Sequence, residues 1–120
     1  MFFRADSISP EQFKCLQELP NLKDLRVQVL YVKDEAIVST LCNILPRMEN
    51  FTVMQGSFEV DISCFPKLEK MIKMSFFRCK FYNLAYFETL MSKLVPQCFK
   101  RLKIVDTSVT KGISSFYKFF

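Results

Sequence analysis

A chain of 120 residues, 50 % hydrophobic and 24 % charged, has enough apolar content for one buried core and too little charge for global disorder. The absence of histidine, an odd count of five cysteines and no CxxC pair argue against a zinc finger, a thioredoxin-type redox centre and complete disulfide pairing within the chain. A net charge of +5 points to acidic partners, and no apolar run approaches the roughly 20 residues that cross a bilayer.

Taken in chain order, the start MFFRADSISPEQ is too short and too quickly polar for a secretory signal, so the expected location is cytoplasmic. Ser9, Pro10 and Gln12 then read as an N-cap, a first-turn proline and a capping-box partner. The helix they open, PEQFKCLQEL, would present Phe13, Leu16 and Leu19. LPNLKDLRV follows, with apolar residues two, five and seven positions after Pro20, at Leu22, Leu25 and Val27. Asp34 can cap a helix through DEAIVSTLCNIL, whose Ile37, Leu41, Ile44 and Leu45 share a face. LPRMENFTV repeats the earlier phrase with Met48, Phe51 and Val53 after Pro46. Between Phe58 and Phe65 only a short helical turn fits. FPKLEKMIKM carries the phrase again after Pro66, and Asn83 can cap NLAYFETLMSKL, with Leu84, Phe87, Leu90, Met91 and Leu94 on one face. VPQCFKRLKI gives the fourth copy after Pro96, and Thr110 can open a last helix toward Phe116 and Tyr117.

The prolines at positions 20, 46, 66 and 96 are 26, 20 and 30 residues apart, within the range of structural repeats. The fourth copy reads Phe99, Leu102, Ile104, Thr107, Val109, an LxxLxLxxNxL pattern with Thr in the Asn position. The first reads Leu22, Leu25, Val27, Leu30, Val32 and the second Met48, Phe51, Val53, Gly56, Phe58. In the third, Ile72, Met74, Phe77 and Cys79 fit, with Glu69 in the first slot. Helix and strand thus alternate, and neither can bury its apolar face alone; stacking the units would join the strands into a parallel sheet covered by helices. On this reading Leu25, Phe51, Ile72 and Leu102 point to one interior.

LPNLKDLRV and FKRLKIVDTSV resemble leucine-rich repeats of the ribonuclease-inhibitor-like type. The resemblance runs from about Ser9 to Val109 and is closest in flavour to the C-terminal repeats of nucleotide-binding innate-immune receptors (the NLR class, apoptosis-inhibitory members included). It implies an α/β fold: a short leucine-rich-repeat solenoid with a parallel sheet of about four strands and helices on the convex side. The units would be 9–33, 34–58, 59–82 and 83–109 of a single domain spanning 1–120, with a tail at 110–120. It further implies a non-enzymatic protein-interaction module, the ligand-sensing or autoinhibitory repeat region of such a receptor or a truncated product of one. The alternative is the substrate-recruiting repeat region of an F-box ubiquitin-ligase adaptor. A receptor's zinc-bound repeats and phosphate loop do not carry over, because the chain has no histidine and neither Gly56 nor Gly112 begins a GK[ST] motif.

Catalytic chemistry finds little purchase. Without histidine the usual base for a serine or cysteine nucleophile is missing. Paired acids such as Asp34 and Glu35 sit where a helix start favours negative charge. Cys79, between Arg78 and Lys80, has neighbours that could lower its pKa but occupies an inward slot. No cofactor and no metal are expected.

The polar slots of the strands would be Arg26 and Gln28, Thr52 and Met54, Lys73 and Ser75, Lys103 and Val105. Arg26, Lys73 and Lys103 would then share one column, a basic strip suited to a protein partner with an acidic surface. Nucleic acid is disfavoured because no RNA-binding motif accompanies the charge, and no membrane contact is expected. The C-terminal SSFYKFF would be a poor cap for the last unit. The expectation is either that the chain is a fragment of a longer solenoid or that the tail folds back over the last strand near Ile104, with the isolated protein prone to self-associate through Phe116, Phe119 and Phe120.

Overall fold

In β2 (Asp24–Val32) Leu25 and Val27 point inward, and after a step of three so do Leu30 and Val32. A straight strand alternates strictly, so the chain has to bend between Val27 and Leu30. The same step recurs from Val53 to Gly56, from Phe76 to Cys79 and from Ile104 to Thr107. The computed structural model, which describes residues 2–7 (as backbone), 11, 15–16 and 18–109, shows the result. Each later segment is split into two short strands: β3 (Asn50–Val53) and β4 (Gly56–Phe58), β5 (Lys73–Phe77) and β6 (Cys79–Phe81), β7 (Arg101–Val105) and β8 (Ser108–Val109).

All strand pairings among the described residues are parallel. The first part of β2 pairs with β3 and its last three residues with β4. Two ladders grow from it. One aligns Leu25, Phe51, Met74 and Leu102 through β3, β5 and β7. The other aligns Val32, Phe58, Phe81 and Val109 through β4, β6 and β8. β1 (Phe2–Ser7) also pairs with β2, Phe2 opposite Asp24. The order is β7-β5-β3-β2-β4-β6-β8 with β1 beside β2, a curled sheet of eight strands.

The bends have local chemistry. Arg78 and Asp106, each following one of the register partners Phe77 and Val105, adopt φ of 52° and 51°. This left-handed region turns the chain sharply and is strained for most side chains. Beyond the last bend the Cys79 amide donates to Thr107 Oγ1 (3.4 Å), which lies 3.3 Å from the Phe76 carbonyl oxygen it can donate to. Thr107 therefore links the backbones of β5 and β6.

Helices at 35–44 and 84–92 cover the inner face. α1 (Glu35–Ile44) starts where expected, with Asp34 Oδ1 accepting from the Ile37 amide at 3.0 Å, and buries Val38, Thr40, Leu41 and Ile44. α2 (Leu84–Ser92) starts at Asn83, which accepts from the Ala85 amide at 3.0 Å, and buries Phe87 and Leu90. A 3-10 turn over Leu45–Arg47 carries Pro46 at its start and sends the Arg47 guanidinium to the Leu16 carbonyl (2.8 Å). Between the sheet and the helices lies an aromatic centre of Phe58, Phe76, Phe81 and Phe87.

The expectation of a four-stranded leucine-rich-repeat solenoid is overturned. The sheet has eight strands, and two α-helices are defined among the described residues. Apolar positions beyond each bend, read as the trailing half of one repeat phrase, form a ladder of their own. Between β4 and β5 the chain crosses over through turns, where Pro66 and the Asp61–Ser63 turn stand in place of a helix. The third copy also departs from its expected register. Its inward residues are Met71, Met74, Phe76, Cys79 and Phe81, whereas Ile72 and Phe77 are only half-buried. Met74, and not Ile72, joins Leu25, Phe51 and Leu102. The prolines ended the preceding segment without fixing how far away the next strand begins.

The first expected helix, over 10–19, falls largely outside the described residues, as do the tail 110–120 and its expected helix. Beside the last described strands an apolar recess of about 290 Å³ is lined by Met91, Leu94, Pro96, Phe99 and Leu102.

Candidate interaction face

The outward positions of the first ladder are fixed by its register. Asp24, Asn50, Lys73 and Arg101 form one row across β2, β3, β5 and β7. Arg26, Thr52, Ser75 and Lys103 form the next. The expected single column of Arg26, Lys73 and Lys103 is therefore corrected: Lys73 stands one row away from the other two, because the third copy was read out of register. The cations still gather. Four of them, Arg26, Lys73, Arg101 and Lys103, occupy two adjacent rows against one acid, Asp24.

Exposure separates these residues. Arg26, Arg101 and Lys103 are exposed, Thr52 and Lys73 half-buried, and Ser75 only 3 % exposed, so Ser75 is floor rather than contact surface. Gln28 lies two residues beyond Arg26 on the same side of β2 and Met54 just past β3; both are half-buried. Further along, Phe77 and Val105 are register partners. The Lys103 ammonium stands 5.4 Å from the centre of the Phe77 ring, and Val105 is 38 % exposed. A cation over an aromatic ring at this distance is attracted by the negative face of the ring.

Beyond the bend the outward row continues as Tyr31, Ser57, Lys80 and Ser108. Lys33 packs on the Tyr31 ring at 5.1 Å and Lys80 on the Tyr82 ring at 5.0 Å, with both tyrosines about 40 % exposed. The sequence reading missed Arg101, Phe77, Tyr31, Lys80 and Tyr82. For Tyr31, Lys80 and Tyr82 the signal was present in the three-residue step, which reverses which positions face outward after each bend; for Arg101 and Phe77 it was the plain alternation with Lys103 and with Lys73 and Ser75.

Cys79 lacks the setting of a reactive thiol. It is buried, its sulfur lies 3.4 Å from the Phe77 carbonyl, and burial pushes its thiol up to about 12 against the lowering effect of backbone contacts. The flanking Arg78 and Lys80 are both exposed, and the Lys80 ammonium packs on the Tyr82 ring. Among the described residues no three His, Cys, Asp or Glu side chains are grouped to hold a metal ion, and no helix is long and apolar enough to cross a membrane. Comparisons with protein-family models, with curated proteins and with solved structures found no match.

Proposed function

We propose that this chain is a non-enzymatic protein-interaction module that docks an acidic protein surface onto the outward face of its first ladder. The observation that supports this reading is the pair of adjacent rows carrying Arg26, Lys73, Arg101 and Lys103 beside the half-buried Phe77 ring and the exposed Val105. Arginine and aromatic groups next to one another are what binding hot spots are enriched in, and a parallel sheet holds them at fixed spacing. Cations on a rigid face also steer an acidic partner in solution.

Two settings are proposed, both cytoplasmic: the sensing or autoinhibitory region of an innate-immune receptor of the apoptosis-inhibitory kind, and the substrate-recruiting part of an F-box ubiquitin-ligase adaptor. A phosphate-binding loop elsewhere in the same gene product would support the first, an F-box the second. The docking itself is tested by fluorescence anisotropy with a labelled glutamate-rich peptide and, as a rival, a short DNA duplex. Arg26→Glu with Lys103→Glu should weaken peptide binding about tenfold, a loss of roughly 1.4 kcal/mol. Lys67→Glu with Lys70→Glu, which makes the same change in net charge at exposed positions between β4 and β5, should weaken it far less. Equal losses from both pairs would sink the assigned face, and preferential binding of the duplex would favour nucleic acid.

A further inference from the structure

Cys42 and Cys64 are 22 residues apart in the chain, yet their sulfurs are 3.6 Å apart. Both are carried by anchored backbone. Cys42 lies on α1, next to the fully buried Leu41. Cys64 lies between the buried Ile62 and Phe65, in a turn that Asp61 closes by accepting from the Ser63 amide (2.9 Å) and hydroxyl (3.0 Å). The thiols face a recess of about 510 Å³ whose wall includes Glu35, Ser39, Asn43 and Asp61. Cys64 is exposed to solvent and Cys42 half-buried behind it.

We propose that Cys42 and Cys64 form a thiol–disulfide exchange site, at which a small-molecule disulfide entering this recess oxidises the pair to a reversible disulfide that clamps the 59–67 turn onto α1. A disulfide bond is about 2.05 Å long, so the sulfurs need to approach by only about 1.6 Å. The order of events follows from access. Cys64, as the thiolate, attacks one sulfur of the incoming disulfide; that S–S bond breaks and one small thiolate leaves. Cys42 is held back at first: burial, then the hydrogen bond and the charge of Cys64, push its thiol up to about 11. Once Cys64 is in a mixed disulfide, its thiol proton and charge are gone and only burial still opposes ionisation. Cys42 then loses its proton to solvent, attacks Cys64 Sγ and expels the second small thiolate. In sum, two protein thiols give up two electrons and two protons, and the small disulfide takes them up to become two thiols.

The acids Glu35 and Asp61 on the wall of the recess make cystamine, a dicationic disulfide, the suitable probe. The full chain is incubated with cystamine near neutral pH, acid-quenched and mapped by non-reducing peptide mass spectrometry. The expected product is a Cys42–Cys64 linked peptide pair, lighter by two hydrogens, without retained cysteamine and reversed by dithiothreitol. Cys42→Ser should instead trap one cysteamine on Cys64, and Cys64→Ser should slow modification of Cys42 by roughly tenfold or more because the accessible attacking thiol is gone. The parent experiment needs no variant to fold. Stable cysteamine on Cys64 in the parent chain, or a link from either residue to Cys15, Cys79 or Cys98, would overturn the assignment.

Discussion

Phe58 and Phe81, register partners on adjacent parallel strands, stack face to face with ring centres 4.7 Å apart and planes 4° from parallel. Phe76 closes this stack edge-on from the other ladder, and Phe87 does so from α2. The aromatic centre therefore ties both ladders to a helix. Phe81→Ala should destabilise the fold by about 3–5 kcal/mol, as large-to-small changes in a sealed core do. A double-mutant cycle with Phe58→Ala, read by denaturant unfolding, should return a coupling of about 0.5–1.5 kcal/mol. Additive losses would mean that the two rings contribute only by their separate burial.

Gly56 opens β4 directly beside the Leu30 carbonyl of β2, and a Cβ at that position would run into the carbonyl oxygen. Backbone, unlike a flexible side chain, has little room to give. Gly56→Ala should therefore cost at least about 1–3 kcal/mol, measured as a lower denaturant midpoint. An unchanged midpoint would show that the β2–β4 pairing relaxes without loss.

Arg78 and Asp106 stand at equivalent bends with positive φ. Asp visits this region more readily than Arg does. Arg78→Gly should be neutral or stabilise by up to about 1 kcal/mol, whereas Arg78→Val should destabilise by about 1–2 kcal/mol. Thermal melting of the two variants checks the sign. A Gly variant that melts well below the parent would mean that the Arg side chain holds the bend through its own contacts.

The Cys79 thiol gives a pH test. Its pKa is raised from 9.0 to about 12 by burial. Below 9 the thiol is protonated in both folded and unfolded chains, so its contribution to stability is fully present. Between 9 and 12 the unfolded chain releases the proton and the folded chain does not, so stability falls as pH rises. The slope of unfolding free energy against pH in this window should be shallower for Cys79→Ala than for the parent. In native protein at neutral pH, Cys79 should also resist iodoacetamide while Cys64 reacts.

The sequence disclosed the local features best. Asp34 and Asn83 were legible as caps because capping depends on neighbours two or three residues away. The inward residues of the first, second and fourth segments were legible because apolar spacing is a local property. The second ladder was not, since an extended stretch of two or three residues such as Ser108–Val109 becomes a strand only when a parallel neighbour completes it. The register of the third segment was lost because Pro66 marks where one turn ends and says nothing of how many residues precede Lys73. Contact between Cys42 and Cys64 depends on how a turn packs against a helix face, which no spacing rule encodes.

The parallel ladder also bears on how the chain assembles. Asp24 pairs with Asn50, Asn50 with Lys73 and Lys73 with Arg101, at sequence separations of 26, 23 and 28 residues. Loop-closure entropy varies only logarithmically with length, so these three closures differ by about 0.2 kcal/mol. Chain topology thus gives no pairing a head start, and the order of assembly falls to the side chains. The strands around Phe58, Phe76 and Phe81, which gain the most aromatic burial on first contact, should form the folding nucleus. Substitutions there should slow folding, whereas those at the Leu102 end should mainly speed unfolding.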